Sequence, residues 1–466
     1  MKRTIFHLGL VCLAVISPFS LVFGEAALSG GDSVVYDLAA VFRLADEESR
    51  QIRVSEAALR AANEGVRQAK NALTPRVNIS LSGSYIGDAT LMSRGFSTSG
   101  TTDVIYAGLG PQSVQNGQQP TPHWGNIFSV EASQVIYAGG AIMAGIEMAK
   151  IGERIAELDV AKSRQEVRLM LAGYYLDLVK LQNQRQVIDR HIEQTNKVLE
   201  QMRARESAGV VLRNDLTRYE LQLKQLELTR VRLIDAQSII HHQLATSLHR
   251  PAGQTIVPDT LAVNAALAQL EQSASEQIWQ SRASSSHLGI RQAEAAQEMS
   301  EQQVKMARSG SMPTIALIAK DELSGPYTSD LIPVDANVNV WFVGVGLQYD
   351  LGSLWHNYRA IRKAKTEREA AQQRVELARE GVNNGVHAAY VNFLTAFTEV
   401  DTQQKQVQLA DENYALVEKR YNNELALLTD LLDASSMKLQ ADMALVNARV
   451  ALLYNYYQLK YTTHTL

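Results

Sequence analysis

The sequence predicts a mainly α protein with a small β part, built from duplicated long coiled-coil helices and four strands. Three observations lead there. Proline is absent from residues 123–250 and 334–466, and windows of that length without a helix breaker suit long helices rather than a stack of small α/β units. Apolar residues recur every 3.5 positions in both windows. The chain also repeats itself, first at an offset of 238 residues and then at 215.

The repeat sets the organisation. Ile52-Arg53-Val54-Ser55-Glu56-Ala57-Ala58 recurs as Ile290-Arg291-Gln292-Ala293-Glu294-Ala295-Ala296, and Val66, Ala69 and Pro75 fall on Val304, Ala307 and Pro313. Further along, Ile146, Ala149 and Lys150 fall on Ile361, Ala364 and Lys365, Tyr175 on Tyr390, and Asp215 on Asp430. The drop in offset leaves about 23 extra residues in the first copy. They are assigned to the stretch 87–125, rich in Gly, Ser, Thr, Gln and Pro, which reads as an exposed loop. Each copy runs helix, strand, loop, strand, very long helix, turn, helix. The expected divisions are a leader over 1–24, a first repeat over 25–250, a linking or equatorial segment over 251–283 and a second repeat over 284–466.

The leader has a basic start at Lys2 and Arg3, an apolar run from Leu8 to Phe23, and a small-residue cleavage site at Val22-Phe23-Gly24. Pro18 and Ser20 favour a cleaved signal over a transmembrane anchor. Cleavage takes the net charge from −4 to −6 and removes the one cysteine, Cys12. No later segment reaches 18 consecutive apolar residues, so a membrane-spanning role falls to strands.

The first strand is expected over about 75–85, with Val77, Ile79, Leu81 and Tyr85 on one face and Asn78, Ser80, Ser82 and Ser84 on the other. A second, over about 127–137, sets Phe128, Val130, Ala132 and Ile136 against Ser129, Glu131 and Ser133. A fourth, over about 341–351, alternates Val343, Val345, Leu347 and Tyr349 with Gly344, Gly346, Gln348 and Asp350; the third, about 314–322, alternates poorly. Trp124, Tyr137, Trp341 and Trp355 lie near strand ends, which suits aromatic residues at membrane interfaces.

Alternating steps of four and three from Val167 give Leu171, Tyr174, Leu178, Leu181, Arg185, Ile188, Ile192, Thr195, Leu199 and Met202, nine of the eleven apolar. The same walk from Val382 to Val417 finds ten of eleven apolar. A sustained 3.5-residue period marks a coiled-coil seam. The helix expected over 140–206 spans roughly 100 Å at ~1.5 Å per residue.

Composition excludes several functions. With 45 Lys+Arg against 49 Asp+Glu there is no polybasic footprint for nucleic acid. A lone cysteine leaves no disulfide framework or cysteine metal site. There is no Gly-x-Ser-x-Gly elbow and no phosphate loop. Gly344-Val345-Gly346 falls within a strand, and His241-His242 diverge by about 100° on a helix. No catalytic residue, metal site or cofactor is expected, and the chain is not read as an enzyme.

Four strands cannot close a barrel, and an open sheet edge in lipid costs several kcal/mol per unpaired backbone group. The strands must therefore be contributed by several copies. At this point the sequence resembles the TolC family of outer-membrane efflux channels. The resemblance is carried by Ala69-Lys70-Asn71-Ala72-Leu73-Thr74-Pro75 and its repeat ending in Pro313, and by Tyr137-Ala138-Gly139-Gly140. Ala208-Gly209-Val210-Val211 before Asp215 and Thr429-Asp430-Leu431-Leu432-Asp433-Ala434 complete it. It implies a homotrimer in the outer membrane with a large periplasmic part, a twelve-stranded barrel and a twelve-helix tunnel. It also implies a periplasmic adaptor and a proton-driven or ATP-driven inner-membrane pump as partners.

The resemblance further places adaptor-docking tips at Gly209, Val210 and Val211 and at Leu425, Ala426 and Leu427, where each long helix turns into a shorter one. Gly209 matches the family's turn glycine; Glu424 occupies the counterpart position and departs from it. Asp430 and Asp433, three apart on one helical face, match the acidic residues of the family's closed aperture, with Asp215 as the first-copy counterpart of Asp430. Carboxylates there also suit helix N-terminal capping. The family's basic latch, four residues before the first aspartate, is Ala426 here, with Arg213 as a substitute. The function expected is an exit duct for an efflux or secretion pump. The alternative is a soluble periplasmic coiled-coil scaffold whose strands form an end cap.

Overall fold

Long uninterrupted helices follow from the absence of proline and from two continuous apolar seams. The computed structural model describes residues 34–85, 87, 123–250, 256–270, 275–326 and 336–466. The expected leader and nearly all of the expected loop over 87–125 lie outside the described residues.

In chain order the elements are β1 (Val34–Tyr36), α1 (Leu38–Glu48), α2 (Arg50–Lys70), β2 (Arg76–Tyr85), β3 (Trp124–Ala138), α3 (Ala141–Ser207) and α4 (Arg213–Ser247). There follow β4 (Ile256–Pro258), α5 (Thr260–Ala268), α6 (Glu276–Ser286), α7 (Leu288–Ser309), β5 (Thr314–Gly325), β6 (Val338–Gln348), α8 (Ser353–His356), α9 (Tyr358–Asn422) and α10 (Leu428–Thr462). Helix α3 has 67 residues and α9 has 65; α4 and α10 have 35 each. The ends Ser207 and Asn422, and both ends of α4 and α10, are related by the same offset of 215 residues. Both predicted seams are buried or half-buried at every position. Val167, Leu171, Ile188, Leu199 and Met202 are at most 1% exposed, and each such burial contributes on the order of 1.5–3 kcal/mol.

Below the sheet, α2, α3, α7 and α9 lie side by side in that order. Further down, α3 packs on α4, and α9 on α10. Around the middle, β1 pairs in parallel with β4. The hydroxyl of Tyr175 on α3 donates to the Tyr36 carbonyl at 3.0 Å and accepts from the Asp259 amide at 3.0 Å. Burial pushes this phenol up to about 12, so it stays a donor. Val41, Ala45, Leu171, Leu244 and Ile256 form the core of this belt. The β1–β4 ladder of this belt was not foreseen: three-residue strands carry too little pattern to read.

The four longer strands form one antiparallel sheet in the order β2-β3-β5-β6. Its register aligns Val77, Ala132, Ala319 and Val343 on one face, and Asn78, Glu131, Lys320 and Phe342 one residue along on the other. The polar face is knit by Ser80 and Ser129 at 2.8 Å and by the Lys320–Glu322 ion pair at 2.5 Å. Among the described residues, β2 and β6 pair on one side only. The expected alternation in the second strand fails at Ile136. Between Val135 and Tyr137 the register shifts, so Tyr137 rather than Ile136 faces Ile315. The bulge absorbs one residue and re-aims the chain before α3.

Below the bulge, Gly139 (φ +60°) lies so close to α7 that a Cβ there would sit 2.5 Å from the Met312 Cβ. The last strand also ends earlier than expected, because Asp350 turns the chain: its Oδ1 accepts from the Gly352 amide at 2.9 Å. Among the described residues, no helix is long and apolar enough to cross a membrane.

Candidate aperture and docking tips

Far from the sheet, α3 turns into α4 and α9 into α10. The two turns are built alike. The Val210 amide reaches back to the Arg205 carbonyl at 2.9 Å, and 215 residues later the Leu425 amide reaches the Arg420 carbonyl at 2.8 Å. This six-to-one bond closes a helix end on a left-handed residue. The residue is Gly209 at φ +78° in the first turn and Glu424 at φ +63° in the second. Glycine takes that conformation freely, whereas a side chain there costs about 1 kcal/mol. Glu424 departs from the expected glycine in identity but keeps its conformation.

Each turn exposes apolar side chains. Val210 and Leu212 are 57% and 71% exposed, and Leu425 and Leu427 67% and 70%. Val211 and Ala426 are half-buried against the hairpins. Behind the tips, Leu199, Met202, Leu216 and Tyr219 of the first hairpin share one core with Tyr414, Leu428, Leu431 and Ala434 of the second. Burial raises the phenols of Tyr219 and Tyr414 well above their ordinary range.

Asp430 is the third residue of α10, and its Oδ2 accepts from the Leu427 amide at 3.0 Å. It therefore caps the helix, and with Asp433 it is exposed. Asp215, the third residue of α4, is half-buried and lies near Tyr421. Burial raises the Tyr421 phenol, Arg205 draws it down, and Asp215 pushes it up again. Arg213, the expected substitute latch, instead pairs with Glu206 of its own hairpin at 3.4 Å.

One residue that sequence reasoning passed over, Arg205, joins the two hairpins. The Arg205 guanidinium donates to the Asn422 carbonyl at 3.2 Å and stands 5.9 Å over the Tyr421 ring. Its counterpart Arg420 folds back on its own turn, donating to the Leu425 carbonyl at 3.3 Å. The offset of 215 relates the two arginines in the sequence, and that was the available signal.

His241 is half-buried and His242 exposed, so they do not converge. No group of three or more His, Cys, Asp or Glu side chains is placed to hold a metal ion among the described residues.

A long helical hairpin is thus repeated twice, each copy joined to two strands of one antiparallel sheet. The chain matches the family described as outer membrane efflux protein over residues 41–248 and 279–462, one segment in each copy, and it belongs to that family. It is 20% identical over 448 residues to the outer membrane protein TolC of Vibrio cholerae serotype O1, covering 96% of this chain and 95% of that one. The match to TolC of Salmonella enteritidis is 24% identical over 185 residues, 39% of this chain, and spans only 38% of that protein. Among solved structures, the CusC crystal structure superposes with a TM-score of 0.73 at 14% identity, covering 96% of each chain. That protein is described as forming a transmembrane channel. An outer-membrane location and a role in efflux are what the description of this family names.

Proposed function

We propose that the chain is the exit duct of a tripartite export system. Three copies close a twelve-stranded barrel and carry substrates from an inner-membrane pump through a helical tunnel to the outside. The supporting observation is the sheet, whose two outer strands, β2 and β6, each leave one edge unpaired among the described residues. In lipid such edges must be satisfied by further strands, and the β6 edge of one copy suits the β2 edge of the next. The apolar tips at Val210, Leu212, Leu425 and Leu427 then face a periplasmic adaptor. Asp215, Asp430 and Asp433 ring the aperture, where carboxylates from three copies attract cations.

Cross-linking and mass measurement in detergent test the assembly: a trimer is expected, and a stable monodisperse monomer sinks the proposal. Planar-bilayer recordings test the ring. Asp430→Ala, Asp433→Ala and the double variant should be progressively less sensitive to block by a trivalent cation. Equal block and equal cation selectivity in all of them would remove these carboxylates from the aperture while leaving the duct intact.

A further inference from the structure

We propose that the groove between the first turns of α3 and the last turns of α7 holds the headgroup of an anionic phospholipid at the periplasmic rim of the barrel. The groove encloses about 670 Å³, lined among others by Met143, Glu147, Gln302, Lys305, Arg308 and Met312. It starts directly beneath the strand ends Ala138 and Thr314, so it rests on the barrel reading for its depth. With those strands in the hydrocarbon band, the groove falls at headgroup level.

Higher up its sequence, α7 pairs its carboxylates with neighbouring helices: Glu294 with Arg379 at 3.0 Å, and Glu298 with Arg154. On α2, Arg53 pairs with Glu48 and Arg67 with Glu64. Lys305 and Arg308, three apart on the final turns of α7, have no acidic partner among the described residues, although Glu147 lines the same groove. Glu147 is instead held by Lys150 at 3.0 Å. The carbonyl end of α7 accounts in part for a cation at Arg308. It does not account for two unneutralised cations beside exposed apolar side chains. Met143 is 62% exposed and Met312 49%, and Ile136 and Tyr137 on the strand above are 63% and 44% exposed. Cations below and an apolar surface above match a phosphate with acyl chains running up the barrel wall.

A second copy of the chain does not fit this place. Helices α3 and α7 are the inner pair of the four, flanked by α2 and α9, whereas neighbouring copies join at the free edges of β2 and β6.

The test uses the full-length protein purified in detergent, with native mass spectrometry after adding phosphatidylglycerol or phosphatidylcholine. Wild type should retain phosphatidylglycerol on the order of tenfold better than phosphatidylcholine. Lys305→Gln/Arg308→Gln should bring the two near parity. A control of equal charge loss on α4, Arg218→Gln/Arg232→Gln, should keep the preference. No preference in wild type, or one unchanged in the groove variant, overturns the proposal while leaving the duct reading standing. Displacement of the lipid by millimolar inorganic phosphate also overturns it, since the site then reads a free anion. Recovery of the protein in the soluble periplasmic fraction would overturn both.

Discussion

At the first tip the left-handed residue is Gly209 and the arginine behind it crosses to the other hairpin; at the second tip the left-handed residue is Glu424 and the arginine folds home. Both turns close with the same backbone bond, 215 residues apart. Both rest on a buried leucine at matching positions, Leu216 at 2% and Leu431 at 0% exposure. Duplication has kept what the backbone and core require and released what the surface does not. The difference teaches where specificity resides: Arg205 spends its hydrogen bond on joining two hairpins, and Arg420 spends its own on finishing one.

The largest effect expected is where the tips are alike. Leu216→Ala and Leu431→Ala each open a cavity in the shared core and should destabilise it by about 2–5 kcal/mol. Hydrogen exchange of tip amides should rise in both hairpins for either variant. Exchange confined to the mutated hairpin would show that the two cores are independent. Next comes the arginine pair. Arg205→Ala removes a partly exposed charged hydrogen bond and a ring contact, about 1 kcal/mol together. That should shift the closed-to-open ratio roughly fivefold, read as single-channel conductance. Arg420→Ala should leave conductance unchanged, and equal effects would break the comparison.

A smaller effect is expected at the turns. Glu424→Gly relieves a left-handed side chain and should stabilise the second tip by up to about 1 kcal/mol. Gly209→Ala should cost the first tip a similar amount, as both would show in the thermal transition of the assembled protein. The mildest test lies away from both tips. His287 and His464 meet ring to ring at 4.2 Å, while the Gly289 amide donates to His287 Nδ1. Burial, then His287 and Lys162, push His464 down to about 4; burial and Lys162 lower His287. Both rings are neutral when folded, so their stabilisation is complete above an ordinary histidine value of about 6.5. It is lost as pH falls from there toward about 4. Tip exchange should not follow that titration, whereas protection near the carboxyl end of α10 should.

Much of this was legible in the sequence. The 3.5-residue walks from Val167 and Val382 both fall wholly within long helices, and the helix expected over 140–206 is α3, Ala141–Ser207, because a seam must repeat over its whole length to be buried. Both tips were located by Gly209 and the offset to Glu424. What escaped reading was short or relational. The β1–β4 ladder has three residues a side and no periodicity. The bulge at Ile136 depends on a partner strand 178 residues away in sequence, since Tyr137 faces Ile315. Asp430 could be read as capping or as lining the aperture, and the capping bond to Leu427 is compatible with both. Arg205 was overlooked because its partner, a backbone carbonyl at Asn422, leaves no mark on composition.

The length of α3 has a mechanical consequence. A rod of 67 residues is about 100 Å long, and tilting it by one degree at the strand end carries its far end sideways by roughly 1.7 Å. Gly139, wedged against Met312, sits at the fulcrum. Displacements too small to disturb a strand register become, at the other end, shifts comparable to the radius of a water molecule. Were the rod to pivot there, the sheet would stay still while the tips travel, and the contact Arg205 makes would act at the end of the whole lever arm.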